Sequence, residues 1–195
     1  MHALTELFES RNLLWNLTLR ELRSKYRRSF LGWAWSLLNP LSSMLIYSFV
    51  FGVVFGATAP IGKPSGLNVY ALYLLCGILP WGFYSQVTNL GMNSLLSNAS
   101  LVRKVAFARE TLVISQVIFC FVQWSIEMSL LAIALIIAGS PIIPWLPVAI
   151  LLMVCLAVYA SGFALALSAA AVFFRDLRYL WSILIQVMFL DRKST

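Results

Sequence analysis

Apolar residues occupy long runs of this chain, and polar residues gather in short stretches between them. Four runs, roughly 35–57, 69–92, 112–138 and 147–172, each reach the ~20 apolar residues that a helix needs to cross a bilayer. A fifth run, Leu180 to Leu190, stops after 11 residues. As a helix it spans about 16 Å, against a hydrocarbon core of about 30 Å, and then meets Asp191-Arg192-Lys193-Ser194-Thr195. The pattern predicts an all-α fold: a polytopic membrane helical bundle of four complete spans and a truncated fifth. A span that ends halfway in charges predicts a chain cut short by a frameshift, an insertion or a partial gene, with 191–195 as a foreign tail.

Turn formers mark the joints. Ala59-Pro60-Ile61-Gly62-Lys63-Pro64-Ser65-Gly66 reads as the loop after the first span, and Gly139-Ser140-Pro141 with Pro144 ends the third. Pro40 is tolerable near the start of the first span, while Gly77 and Pro80-Trp81-Gly82 predict a kink in the second. Ahead of the spans, residues 4–28 read as an amphipathic helix. Leu4, Phe8, Trp15, Leu19, Leu22 and Tyr26 share one face; Glu6, Glu9, Arg20 and Arg27 lie opposite; Leu13 and Leu17 break the stripe. Such a helix lies in the membrane interface, apolar side down. It serves either as an anchor for the bundle or as a contact for a partner. One transmembrane domain covers 1–195, with 1–34 as the cytoplasmic interface segment and 35–190 as spans.

Composition agrees. The chain has 195 residues, is 61% hydrophobic and 11% charged, where soluble domains carry about 25% charged residues. The net charge of +7 belongs to the loops and excludes no membrane role; with no soluble basic domain, nucleic acid is not a partner. Arg103, Lys104, Arg109, Arg175 and Arg178 fall on the side of the N-terminus and only Lys63 on the other, which predicts a cytoplasmic N-terminus. No cleavable signal peptide is visible, so the first span doubles as insertion signal. Cys76, Cys120 and Cys155 lie far apart in apolar runs and read as free thiols.

Catalytic chemistry is poorly provided for. The sole histidine is His2, no phosphate-binding G-x-x-x-x-G-K-[ST] loop occurs, and no metal ligand set is visible. Glu127 is the one acid deep in an apolar run, with Gln123 one turn earlier on the same face. It is either a polar spot on a substrate path or one end of an interhelical hydrogen bond, protonated or paired. The segment Asn98 to Glu110 mixes apolar and basic residues; it either meets a cytoplasmic partner or simply sets topology. Trp33, Trp35, Tyr47, Tyr70, Tyr73, Trp81, Phe83, Tyr84, Trp124, Trp145 and Tyr159 fit an interfacial aromatic belt, with a sugar-stacking track as the alternative.

Three segments in order carry a family resemblance. The entry Lys25-Tyr26-Arg27-Arg28-Ser29-Phe30-Leu31-Gly32, through Trp35 and Asn39-Pro40-Leu41, resembles the opening of permease subunits of polysaccharide exporters of the type-two ABC transporter class. So do Asn98 to Glu110 and Phe173-Phe174-Arg175-Asp176-Leu177 with Gln186 beyond. The resemblance implies a six-span permease that dimerises, pairs with a cytoplasmic ATP-binding subunit, and exports lipid-linked polysaccharide (O antigen, capsule or teichoic acid) across the bacterial inner membrane. It implies no cofactor on this chain, since the partner uses the ATP. It makes Leu101, Val102, Arg103, Lys104, Phe107, Arg109 and Glu110 coupling residues and Arg20, Arg23, Lys25, Tyr26, Arg27 and Arg28 part of the interface helix. Arg175 and Asp176 form a cytoplasmic motif. Members often carry proline at the position of Ala108 and an acid at that of Gln123, and the sixth span has no counterpart here. Two other readings stand beside it: an inert fragment of such a permease, and a membrane-embedded acyl- or glycosyltransferase, which lacks an acid–base constellation.

Overall fold

The computed structural model describes residues 11–26, 34–54, 56, 69–99, 108–174 and 176–191, and every regular element among them is helical. Helix α1 is Arg11–Tyr26 and α2 is Trp35–Tyr47, continued by a π-helical segment, Ser48–Val54. Helix α3 is Tyr70–Ser97, α4 is Glu110–Ile137, a 3-10 turn covers Ile143–Trp145, α5 is Leu146–Phe173 and α6 is Leu177–Asp191. Two stretches are long and apolar enough to cross a membrane, Glu110–Ile137 and Ile143–Phe173. Their 28 and 31 residues exceed the ~20 that a span requires, so the predicted third and fourth spans stand within two to four residues of their expected ends. Helix α6 is shorter, 15 residues, and takes in Asp191.

Local chemistry explains the helix ends. Glu110 occupies the first turn of α4, where a carboxylate suits the positive end of the helix dipole. At the other end Gly139 takes φ +84°; its N–H reaches Ile136 O at 2.9 Å and that of Ser140 reaches Leu135 O at 3.0 Å. This is a Schellman closure, which needs a left-handed residue, and Pro141 follows where the helix cannot continue. The backbone carbonyl of Asp176 receives the N–H groups of Tyr179 and Leu180 at 3.0 and 3.2 Å, opening α6. Helix α3 runs through Pro80 as one continuous element.

The chain divides into two compact units. One holds residues 1–25, 83–121 and 156–195; the other holds 26–82 and 122–155. Helices α3, α4 and α5 each give one half to each unit. The first unit has the denser core: Leu17, Phe83, Val87, Met92, Leu112, Val113, Phe119, Ala160, Ala164 and Ala171 are all buried. Helix α5 meets its neighbours there through small residues, Ala160, Ala164, Ser168 and Ala171, which let helix backbones approach closely. Several buried hydroxyls bond to their own helix: Thr88 Oγ1 donates to Tyr84 O at 2.9 Å, Ser115 to Leu112 O at 2.8 Å and Ser168 to Leu165 O at 2.8 Å. In hydrocarbon no water can serve instead. The second unit has a smaller core of Leu72, Leu75 and Leu131, against which Leu79, Met128 and Leu135 pack.

Helix α1 packs into the protein through residues that stand apart from the Trp15 stripe. Among its described side chains Leu17 and Thr18 are buried, at 5% and 1% exposure, while Trp15 is 63% exposed. Thr18 is buried at low cost because its Oγ1 donates to Leu14 O at 2.9 Å. Leu17, which interrupts the sequence stripe, is thus the residue that enters the core. The helix has two apolar sides, one for the protein and one, carrying Trp15, left outside it.

Candidate coupling and translocation residues

Helix α1 is tied to the C-terminal end of α3 within the first unit. Arg20 Nη2 donates to Asn98 Oδ1 at 2.9 Å and pairs with Glu21 Oε1 at 2.9 Å. Asn98 in turn donates from Nδ2 to Ser94 O at 3.0 Å, which fixes its amide so that Oδ1 faces the guanidinium. An arginine fork suits two oxygen acceptors at once. This bond joins residues 78 apart in sequence and leads directly into the segment that links α3 to α4. Arg23 is exposed on the same helix, and Lys25 and Tyr26 lie in its last turn. Arg27 and Arg28 lie outside the described residues, as do Leu101, Val102, Arg103, Lys104 and Phe107, and also Arg175.

Of the expected coupling set, Arg109 and Glu110 are described, and both are exposed at the start of α4. The backbone there is a tight turn: Thr111 N–H reaches Ala108 O at 3.0 Å and Leu112 N–H reaches Arg109 O at 3.2 Å. Ala108 therefore accommodates the turn without proline. The following residues, Thr111, Leu112 and Val113, are essentially fully buried, so the exposed charges sit on a firmly packed base. Asp176 is exposed at the start of α6.

Glu127 and Gln123 meet as their spacing predicts. Gln123 Nε2 donates to Glu127 Oε1 at 3.2 Å along one face of α4 in the second unit, and both side chains are half-buried.

The aromatic residues do not form a single belt. Trp35, Tyr73, Trp145 and Tyr159 are exposed, but Phe83, Tyr84 and Trp124 are buried in mid-helix. In the first unit Tyr84 stacks on Tyr159 at 5.9 Å, Tyr159 meets Phe163 at 5.0 Å, and Phe163 stacks on Trp181 at 6.5 Å. The ladder joins α3, α5 and α6. Phe163 and Trp181 are absent from the sequence-derived set because neither is near a conspicuous motif; only their i to i+4 relation to Tyr159 and Ile185 hints at them. Cys76 and Cys155 are exposed and Cys120 is buried, and none of the three forms a disulfide. No cluster of three or more metal-ligating side chains occurs among the described residues.

This arrangement holds polar and aromatic groups on long apolar helices. It agrees with the similarities of the whole chain. Residues 12–190 match the family model of the ABC-2 type transporter. The O-antigen export system permease protein RfbA of Myxococcus xanthus is 30% identical over 188 residues, covering 94% of this chain and 68% of that protein. Its namesake from Klebsiella pneumoniae is 27% identical over 179 residues, 91% of this chain and 66% of the relative. The polysialic acid transport protein KpsM of Escherichia coli is 30% identical over 86 residues, 44% of this chain and 31% of that protein. The chain thus spans about two thirds of the length of the export permeases it matches. With the two apolar spans and the match over nearly its whole length, this chain belongs to the ABC-2 type transporter family of membrane permeases.

Proposed function

We propose that this chain is the membrane subunit of an exporter that moves a lipid-linked polysaccharide across the bacterial inner membrane, driven by a separate ATP-binding subunit. The observation that carries this reading is its similarity over more than nine tenths of its length to two O-antigen export permeases. Membership of the ABC-2 type family supports an ATP-binding partner subunit, and in this reading the nucleotide is bound there. A pair of copies forms the working unit, and the N-terminus is cytoplasmic, in keeping with the distribution of basic residues.

In this reading nucleotide binds the two conformations of the ATPase unequally, and that difference is the energy available to the permease. The segment 101–110 receives the movement. Arg109 and Glu110 stand exposed at its end, and Arg20 of α1 bonds to Asn98, which precedes it in sequence. Glu127 and Gln123 offer a polar spot within an apolar helix, and Arg175 with Asp176 forms a second cytoplasmic contact. The test is charge reversal at Arg103 and Arg109 in the permease–ATPase complex. Substrate-stimulated ATP hydrolysis should fall while the complex still forms; unchanged stimulation with both charges reversed refutes the coupling role.

A further inference from the structure

Helix α3 is 28 residues long, as long as α4, yet it is not among the helices apolar enough to pass as a span by composition. One contributor is a single row of side chains. Ser85, Asn89 and Asn93 recur every four residues, so they stand above one another on one face at intervals of about 6 Å. All three are half-buried, whereas the adjoining positions Tyr84, Val87, Thr88, Gly91 and Met92 are buried in the first unit. The row runs along the edge of that core.

The helix itself orients the amides. Asn89 Nδ2 donates to Ser85 O at 2.8 Å, with a longer approach of 3.5 Å to Ser85 Oγ, and Asn93 Nδ2 donates to Asn89 O at 2.8 Å. Each bond fixes a side chain and spends a donor. Neither Oδ1 receives a hydrogen bond from the described residues, and both side chains keep exposed surface. Accessible amide oxygens facing hydrocarbon would each cost several kcal/mol. Water or a polar ligand against the row removes that cost. No charged residue lies between Tyr70 and Asn98, so the row has nothing to attract a phosphate or a carboxylate. Amides offer acceptors beside donors, the complement of a hydroxyl group.

We infer that Ser85, Asn89 and Asn93 form the wall that hydrogen-bonds the hydroxyl groups of the saccharide as it passes α3. This rests on the transport reading above and assigns its substrate contact. Neutral, evenly spaced amides suit a moving chain: each hydroxyl finds a partner at successive positions, and none binds tightly enough to stop it.

The test uses the permease with its ATP-binding subunit in cells, with Cys76, Cys120 and Cys155 replaced by alanine. Single cysteines are placed by Asn89→Cys, Asn93→Cys and, as a control on the exposed apolar side, Leu90→Cys. A charged, water-soluble thiol reagent should label positions 89 and 93 and spare position 90. In parallel, surface polysaccharide is measured for Asn89→Leu/Asn93→Leu. That pair raises both apolarity and helix propensity, so insertion is not endangered. Export should fall about tenfold, the worth of two hydrogen bonds of ordinary net strength, and Asn89→Gln/Asn93→Gln should restore most of it. Unlabelled thiols at 89 and 93 would place the row against a second copy or another helix and overturn the assignment. Labelled thiols with undiminished export by the leucine pair would overturn it too. Absence of export by the unsubstituted chain, with the ATPase bound, would reject the transport reading and the saccharide wall together.

Discussion

Gly91 of α3 lies tightly against α5, and a single methyl group there should be felt. A Cβ at Gly91 would lie 2.7 Å from Ala164 Cβ, 3.5 Å from Ala164 Cα and 3.4 Å from Val113 Cγ1. Ala164 is completely buried and has no rotamer to yield. Gly91→Ala must therefore move a helix, and overpacking of this kind costs about 1–3 kcal/mol. Against this stands the gain of replacing glycine within a helix, about 0.5–1 kcal/mol. The clash wins, leaving a net loss of about 1–2 kcal/mol. Gly82, on the same helix, has nothing within 4 Å of its hypothetical Cβ. Gly82→Ala should thus be neutral or stabilising. Thermal unfolding in detergent, followed by size-exclusion of the remaining monodisperse protein, reads both. Gly91→Ala should lower Tm by about 2–8 °C for a chain of this size, and Ala164→Gly should recover part of the loss in the double variant. Equal Tm values for Gly91→Ala and Gly82→Ala, or no coupling to position 164, would refute the close packing.

Other substitutions separate contributions that the structure distinguishes. Thr111 Oγ1 is buried without a partner, whereas Thr88 Oγ1 bonds to Tyr84 O; Thr111→Val should leave Tm unchanged or raise it, and Thr88→Val should lower it by the equivalent of about 1 kcal/mol. Leu17→Ala, at a buried contact of the interface helix, should cost about 2–4 kcal/mol, but Arg20→Ala, at a half-exposed charge, less than about 1 kcal/mol; a reversed order would mean that the helix is held by charge and not by packing. A lipid-permeable maleimide should modify the exposed Cys76 and Cys155 in folded protein and spare the buried Cys120, as mass spectrometry of the intact chain would show.

The parts of the fold legible in sequence are those set by solvent alone. Apolar runs closed by charge, or by Gly139-Ser140-Pro141, announce α4 and α5 because a bilayer requires both a length and an end. The π-helical close of the first apolar run leaves no such mark, since Ser48–Val54 is as apolar as any span. Helical periodicity found α1 and its Trp15 side but not the part that Leu17 plays, because Leu17 and Trp15 are both apolar and only the tertiary contact decides which enters the protein core. The hydrogen bond between Gln123 and Glu127 was legible because it is local, one turn apart. Arg20 with Asn98, and Phe163 with Trp181, depend on distant segments meeting. Ser85, Asn89 and Asn93 carry no ionisable group, and their neutral hydroxyl and amides become noticeable only through their exposure and bonding.

The central claim is that this chain works as the membrane half of an ATP-driven exporter. Its most direct test is to purify the tagged chain from membranes together with the ATP-binding subunit encoded beside it, and to compare ATP hydrolysis by the complex with that of the subunit alone. The account predicts a stable complex whose hydrolysis differs from that of the free subunit and rises further with lipid-linked polysaccharide. Purified chain that folds as a helical bundle but binds no ATP-binding subunit would contradict it.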